Sequence, residues 1–251
     1  MSSQPTRPLR RERRAAAVAQ RRGEPRAAVH VRPRIGIGLV SIVALAVGVI
    51  LVAVLLVLGN RPATSVISVV KAGSPAGIPS AGYVLGNAAA PVTIDLYEDF
   101  QCPACARWGE NVFASVVRNE LASGSVNIAF HSFAFIGPES AAAGRAAWAA
   151  GEQGRFWDMW ATLYANQGLH ENGGSFARDR LVAMADAIGL DGARFATDLD
   201  STAAATWVAD GVTAAAAAGV NSTPTLMIEG TAMTGSGYAD VAAAIVAATA
   251  P

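Results

Sequence analysis

Residues 92–105 read Val-Thr-Ile-Asp-Leu-Tyr-Glu-Asp-Phe-Gln-Cys-Pro-Ala-Cys, and this stretch decides the fold. Val92 to Tyr97 alternates apolar with polar residues, is rich in β-branched side chains and follows Pro91, which is the pattern of a half-buried strand. From Pro103 to about Leu121 the period changes. Trp108, Val112, Phe113, Val116 and Val117 recur at three- and four-residue spacing, as one face of a helix does. Cys102 and Cys105, the two cysteines of the 251-residue chain, therefore stand where a strand gives way to a helix. Two thiols on a first helical turn can close a local disulfide, and the first sulfur faces unpaired N–H groups that favour its thiolate. A bridge within the chain has to join Cys102 to Cys105.

Moving outward, Ser123-Gly124 stops the helix and residues 126–135 (VNIAFHSFAF) form a second strand, closed by Ile136-Gly137-Pro138. Strand, helix and strand at this length predict a parallel pair with a right-handed crossover. The cysteines then lie at the carboxyl end of a strand, where such units place their sites. Residues 139–218 are helical in pattern, in segments 139–150, 153–167, 176–188, 192–199 and 202–218 broken at Gly151, Gly173-Gly174, Gly189 and Asp200-Ser201. Phe156, Trp157, Trp160, Leu163 and Tyr164 make an aromatic stripe that reads as core. Thr225 to Ile228, a turn at Glu229-Gly230, Thr231 to Met233 and a helix from Tyr238 to Ala248 close the domain.

The amino-terminal side has a different character. Residues 1–34 hold ten arginines against Glu12 and Glu24, the composition of a disordered basic arm. Residues 35–58 carry no charge and as a helix would span about 36 Å, enough to cross a hydrocarbon core of ~30 Å. A cleaved signal peptide has an apolar region of roughly 7–15 residues near its terminus, so an uncleaved, single-pass membrane anchor is expected. Flanking arginines hold the N-terminus in the cytoplasm; the rest of the chain is then extracytoplasmic, where disulfides persist. The arm lacks aromatic residues for base stacking, so it reads as a topology signal, with no nucleic-acid partner. Residues 59–82 have the Gly, Pro, Ser and Ala content of a flexible linker, in which Val66 to Val70 is either a short strand or apolar linker. The folded domain is expected over 83–250.

The runs Leu85-Gly86-Asn87, Pro91-Val92-Thr93, Glu98 to Cys105, Gly154-Arg155-Phe156-Trp157, Gly219-Val220 and Thr223-Pro224-Thr225, in this order, resemble the DsbA-like branch of the thioredoxin superfamily. The resemblance covers about residues 83–250. It implies an α/β, thioredoxin-like fold with an inserted helical domain at about 138–218, here preceded by one N-terminal transmembrane helix. It further implies that Cys102 is the exposed nucleophile and Cys105 its buried resolving partner. Proline just before a strand cannot donate to the ladder and constrains its neighbour; the resemblance implies a cis Thr223-Pro224 bond beside the cysteines. Thr223 would pair with an extended substrate segment, and Pro224 would deny metals access to the sulfurs.

Relatives often keep one buried acid below the disulfide. Glu98 and Asp95 are the candidates for moving a proton at Cys105, with Asp99 a third. Zinc wants four ligands, whereas outside the arm the chain offers two cysteines with His131 and His170, unpaired in spacing. No metal and no cofactor beyond the Cys102-Cys105 disulfide are expected. His131 reads as a core or surface histidine.

Three functions follow. The first is an extracytoplasmic thiol:disulfide oxidase acting on cysteine-containing secreted or surface polypeptides and reoxidised by a quinone-linked membrane partner, as the resemblance implies. The second is a reductase or isomerase. The third, of another class, is a peptide-binding chaperone or scaffold with a structural disulfide. Pro103 and Ala104 tune the potential in the enzymatic readings. Strongly oxidising relatives often carry Pro-His there, and Ala104 cannot supply a positive partner to the thiolate. Replacing Ala104→His is expected to make the potential more oxidising, by on the order of 30 mV for each tenfold change in the exchange equilibrium; a glutathione redox titration checks it.

Overall fold

The computed structural model describes residues 42, 44–52, 66–69, 78–233 and 236–250. The chain divides into two units, Met1–Thr64 and Ser65–Pro251. In the first, residues 44–52 are helical, with Leu45, Val47, Val49 and Ile50 exposed. Among the described residues no helix is long and apolar enough to cross a membrane. The basic arm 1–34 and most of the span expected over 35–58 lie outside those residues.

Among the described residues the second unit is built on six strands: Ser80–Ala81 (β1), Val84–Gly86 (β2), Val92–Glu98 (β3), Val126–Ser132 (β4), Thr225–Ile228 (β5) and Thr231–Ala232 (β6). They lie in the order β1-β2-β4-β3-β5-β6. The pair β3 and β4 is parallel, in a register that sets Val92 against Val126 and Glu98 against Ser132; all other pairs are antiparallel. The predicted crossover unit is therefore present. The hairpin of β1 and β2 escaped the sequence reading because strands of two and three residues are too short to show a period.

Alternation along β3 sorts its side chains. Ile94, Leu96 and Glu98 point to the main core beside Ile128 and Phe130, and Tyr97 joins a smaller cluster with Phe133, Ala215, Val220 and Met227. After β3 come Pro103–Trp108 (α1), a π-helical turn Gly109–Phe113 and Ala114–Asn119 (α2). One continuous helix was expected here. Gly109 explains part of the difference: a Cβ on it would lie 3.0 Å from Cη2 of Trp160, so the bare backbone rests on that indole.

The helical insert consists of Pro138–Gly151 (α3), Phe156–Ala165 (α4), Arg178–Ala187 (α5), Gly192–Leu199 (α6) and Thr202–Ala217 (α7). Ser201 caps α7 and Asp191 caps α6 by accepting from backbone N–H groups. Tyr238–Thr249 (α8) ends the domain and packs on β3 and β5. Within the stretch expected to be linker, Ser68 exchanges two hydrogen bonds with the Asn166 side chain, at 3.0 and 2.7 Å, and Ile67 packs against the core.

Helix α7 comes so close to the end of β4 that a Cβ on Gly211 would run into the Ser132 carbonyl oxygen. That oxygen is backbone and cannot swing aside. Gly211→Ala should therefore destabilise the domain by about 2 kcal/mol from overpacking, although alanine is the better helix former by ~1 kcal/mol. Urea denaturation of the two proteins decides the sign.

Candidate active site

Antiparallel pairing of β5 with β3 sets Thr225 opposite Tyr97, so the start of β5 lies beside the end of β3. The Thr223-Pro224 loop thus meets the cysteines, and its peptide bond is cis. Both cysteines are free thiols in the structure. Cys102 occupies the N-cap of α1 with extended backbone, and Pro103 takes the first helical position, where a missing N–H costs nothing. The Cys102 thiol lies 3.4 Å from the Thr223 carbonyl oxygen, to which it can donate. Cys102, expected to be exposed, is buried with 8% of its surface left, because the Thr223-Pro224 loop covers it; Cys105 retains none.

This difference in setting separates the two sulfurs. The Cys102 thiol is lowered from 9.0 to about 5, first by a hydrogen bond from the Cys105 thiol, then by Thr223 and by the backbone N–H groups of Cys105 and Ala104. Partial burial opposes these and loses. The Thr223 hydroxyl is buried and has no hydrogen-bond partner among the described residues. Cys105 moves far upward, because burial disfavours its thiolate and the charges of Glu98 and Cys102 add to the penalty.

Glu98 is fully buried on the core side of β3. Its Oε2 accepts from the indole N–H of Trp160 at 2.8 Å, and its Oε1 has no hydrogen-bond partner among the described residues. Burial raises its carboxyl to about 8; the hydrogen bond from Trp160 pulls the other way. Of the candidate acids, Glu98 is the one the structure brings to Cys105. Asp95 goes to the opposite face of β3, where its Oδ1 meets His131 Nε2 at 2.7 Å and the His131 ring stacks on Tyr97. Alternation along the strand requires that separation, so Asp95 is not placed to serve the thiols.

Asp99 builds the loop. Its Oδ1 accepts from Gln101 N at 2.8 Å and its Oδ2 from Phe135 N and Ile136 N, each at 3.0 Å. These bonds draw the chain after β4 toward the cysteines, which is why the strand expected to reach Phe135 ends at Ser132. A groove beside Cys102 is lined by Pro103, Phe135, Ile136, Glu171 and Thr223. A further cavity, between β6 and α8 and lined by Met233, Ala244 and Ala247, holds no thiol.

The sequence reading took Trp160 and Tyr164 as core packing and missed Gln101 and Glu171. Trp160 is core, yet its N–H reaches the buried acid; a carboxylate expected to be buried, paired with an indole that needs a partner, was the available signal. For Gln101 and Glu171 the sequence carried none.

A family model described as Thioredoxin matches residues 80–247. The chain belongs to the thioredoxin family. Its fold is that of the DsbA-like thiol:disulfide oxidoreductases, as the resemblance implied. The oxidised crystal structure of BdbD from Bacillus subtilis superposes with a TM-score of 0.62 at 22% identity, over 68% of this chain and 96% of that one. The probable disulfide bond formation protein D of Bacillus cereus is 36% identical over 86 residues, 33% of this chain and 39% of that protein. The Na(+)/H(+) antiporter NhaA 1 of Salinispora arenicola is 33% identical over 156 residues, 61% of this chain and 22% of that protein. The chain thus spans well under half the length of these curated relatives.

The raised carboxyl of Glu98 makes a signed prediction. Its protonated form suits the fold, so its contribution to stability is fully present below 4.5 and is lost as pH rises through about 8. Glu98→Gln has nothing to lose over that window. The variant should match the parent near pH 4 and exceed it near pH 9 by a few kcal/mol, on the order of one per pKa unit. Urea midpoints of both proteins in the same dithiol state, at the two pH values, measure this.

Proposed function

We propose that this thioredoxin-family protein is a thiol:disulfide oxidoreductase working as an oxidase on cysteine-containing secreted or surface polypeptides. The observation that carries the reading is the inequality of the two sulfurs: Cys102 is stabilised as thiolate and Cys105 is not. A stable Cys102 thiolate favours the reduced enzyme and so makes its disulfide a strong oxidant.

The steps follow from the groups present. A substrate thiolate attacks Cys102 Sγ of the oxidised enzyme, a substrate–Cys102 disulfide forms, and the Cys102–Cys105 bond breaks with its electron pair on Cys105. Burial makes that sulfur a poor anion. Glu98, protonated at neutral pH with a pKa of about 8, supplies the proton. A second substrate thiolate then attacks the substrate sulfur of the mixed disulfide and expels Cys102 as thiolate. Two electrons pass from two substrate thiols to the enzyme pair. Thr223, at the mouth of the groove, would hold the substrate chain by backbone pairing.

Return of the enzyme to its disulfide needs an electron acceptor, for which a quinone-linked membrane oxidase fits an extracytoplasmic site. The arginine arm and the uncharged run 35–58 support a single-pass anchor with the thiol domain outside. The match to about a fifth of an antiporter agrees with a domain of this kind being carried at a membrane.

Two measurements separate this reading from its rivals. Acid-quenched thiol trapping in living cells should find Cys102 and Cys105 mainly oxidised; a mainly reduced pair would make the protein a reductase. Cys105→Ala, which removes the resolving sulfur, should accumulate mixed disulfides with other polypeptides through Cys102. A scaffold with a structural bridge would accumulate none.

A further inference from the structure

The groove beside Cys102 contains one charged side chain among its described lining residues, Glu171. It belongs to the loop between α4 and α5, and it has no ion-pair or hydrogen-bond partner among the described residues. Next to it stand the exposed Phe135 and the half-buried Ile136, with Thr223 across the sulfur. An unpaired carboxylate on such a rim is a discriminator. It attracts a cation brought by an incoming chain and repels an anion.

The loop that presents Glu171 is fixed to the redox site itself. Gln101, immediately before Cys102, donates through Nε2 to Asn172 Oδ1 at 3.2 Å and accepts at Oε1 from Asn172 N at 2.5 Å. Gln167 Nε2 donates to Phe100 O at 2.8 Å, and Glu139 at the start of α3 accepts from Gly174 N and Phe176 N at 2.6 and 2.8 Å. Asn172 adopts a positive φ of 54°, a conformation asparagine tolerates better than most residues. Glu171 is therefore held between anchors on both sides, at a set distance along the chain from the nucleophile.

The rest of the domain reinforces its sign. Residues 83–250 contain seven arginines against seventeen aspartates and glutamates, a formal charge of −10. Such a field speeds the encounter of cationic chains and slows anionic ones.

We infer that Glu171 is a specificity-determining residue, selecting substrate segments that carry lysine or arginine beside the reacting cysteine. This rests on the oxidoreductase reading above and adds to it a preference among substrates. At groove separations in high dielectric the pair attraction corresponds to about a fivefold difference in rate between oppositely charged segments.

The test uses the oxidised full-length chain in neutral detergent and three peptides of equal length. Each has one cysteine, flanked by arginine, by glutamate or by serine. The second-order rate of mixed-disulfide formation is measured at low and high salt. The readout is the arginine-to-glutamate rate ratio, which a change in stability or in the disulfide leaves alone. The expected ratio for the natural chain is about fivefold at low salt and smaller at high salt. Glu171→Gln should lower it, and Glu171→Lys should lower it further, toward or past unity. A preference for arginine that both variants retain in full would assign selection to the whole-domain field and overturn the role of Glu171. Equal rates for the two charged peptides with the natural chain would also overturn it, while leaving the oxidoreductase reading intact. If the serine peptide in excess neither forms a mixed disulfide nor reduces the Cys102–Cys105 disulfide, that reading fails, and this inference with it.

Discussion

Donation of a hydrogen bond from the Cys105 thiol to the Cys102 sulfur is the interaction on which the rest of the site depends. It is the largest single cause holding Cys102 down near pKa 5, and it needs Cys105 to keep its proton. Burial supplies that condition, since a thiolate at zero exposure has no solvent to stabilise it. The same two facts make one sulfur anionic and the other fully enclosed and protonated. A CxxC pair with two equivalent thiols would lack this polarity, whatever its spacing.

The helical insert is part of that chemistry. Trp160 on α4 donates to the carboxyl of Glu98, and its ring lies against the bare backbone of Gly109 in the helix that follows the cysteines. Tyr164, one turn further along α4, donates to the Asp99 carbonyl at 3.3 Å and packs edge-on against Trp160. One helix of the insert therefore touches the acid, the redox loop and the redox helix together. Phe113, on the π-helical turn, completes the contact by stacking near Trp157 and Trp160. π-bulges collect where a helix must yield to a functional neighbour, and here the neighbour is the indole that partners the buried acid.

The strand, the redox helix, the five helices of the insert and the closing hairpin were legible because each is long enough to show a period or is bounded by glycine or proline. The cysteines and the Thr223-Pro224 loop were legible as motif and resemblance. What was not legible depends on contacts distant in sequence. Glu98 and Asp95 are three residues apart on one strand, and nothing local says which faces the thiols; the answer comes from Trp160, sixty-two residues away, which only the fold brings within 2.8 Å. Asp99 likewise owes its role to Phe135 and Ile136. The short β1 and β2 strands failed for a different reason, being held by pairing, β1 on β2 and β2 on β4, rather than by any pattern of their own.

Electron flow through the pair can be argued from proton positions alone. When the disulfide is opened by a substrate, charge lands on Cys105, in a place where charge is least tolerated, and the nearest relief is the proton on Glu98. A carboxyl with a pKa of about 8 is mostly protonated at neutral pH, so the proton is in place before the reaction that needs it. That donation leaves Glu98 ionised beside the Cys105 thiol. By microscopic reversibility the ionised Glu98 takes that proton back when Cys105 attacks a mixed disulfide, so the buried acid serves the exchange in both directions. The equilibrium is set elsewhere, by the donors around the first turn of the helix, which stabilise the Cys102 thiolate and with it the dithiol form.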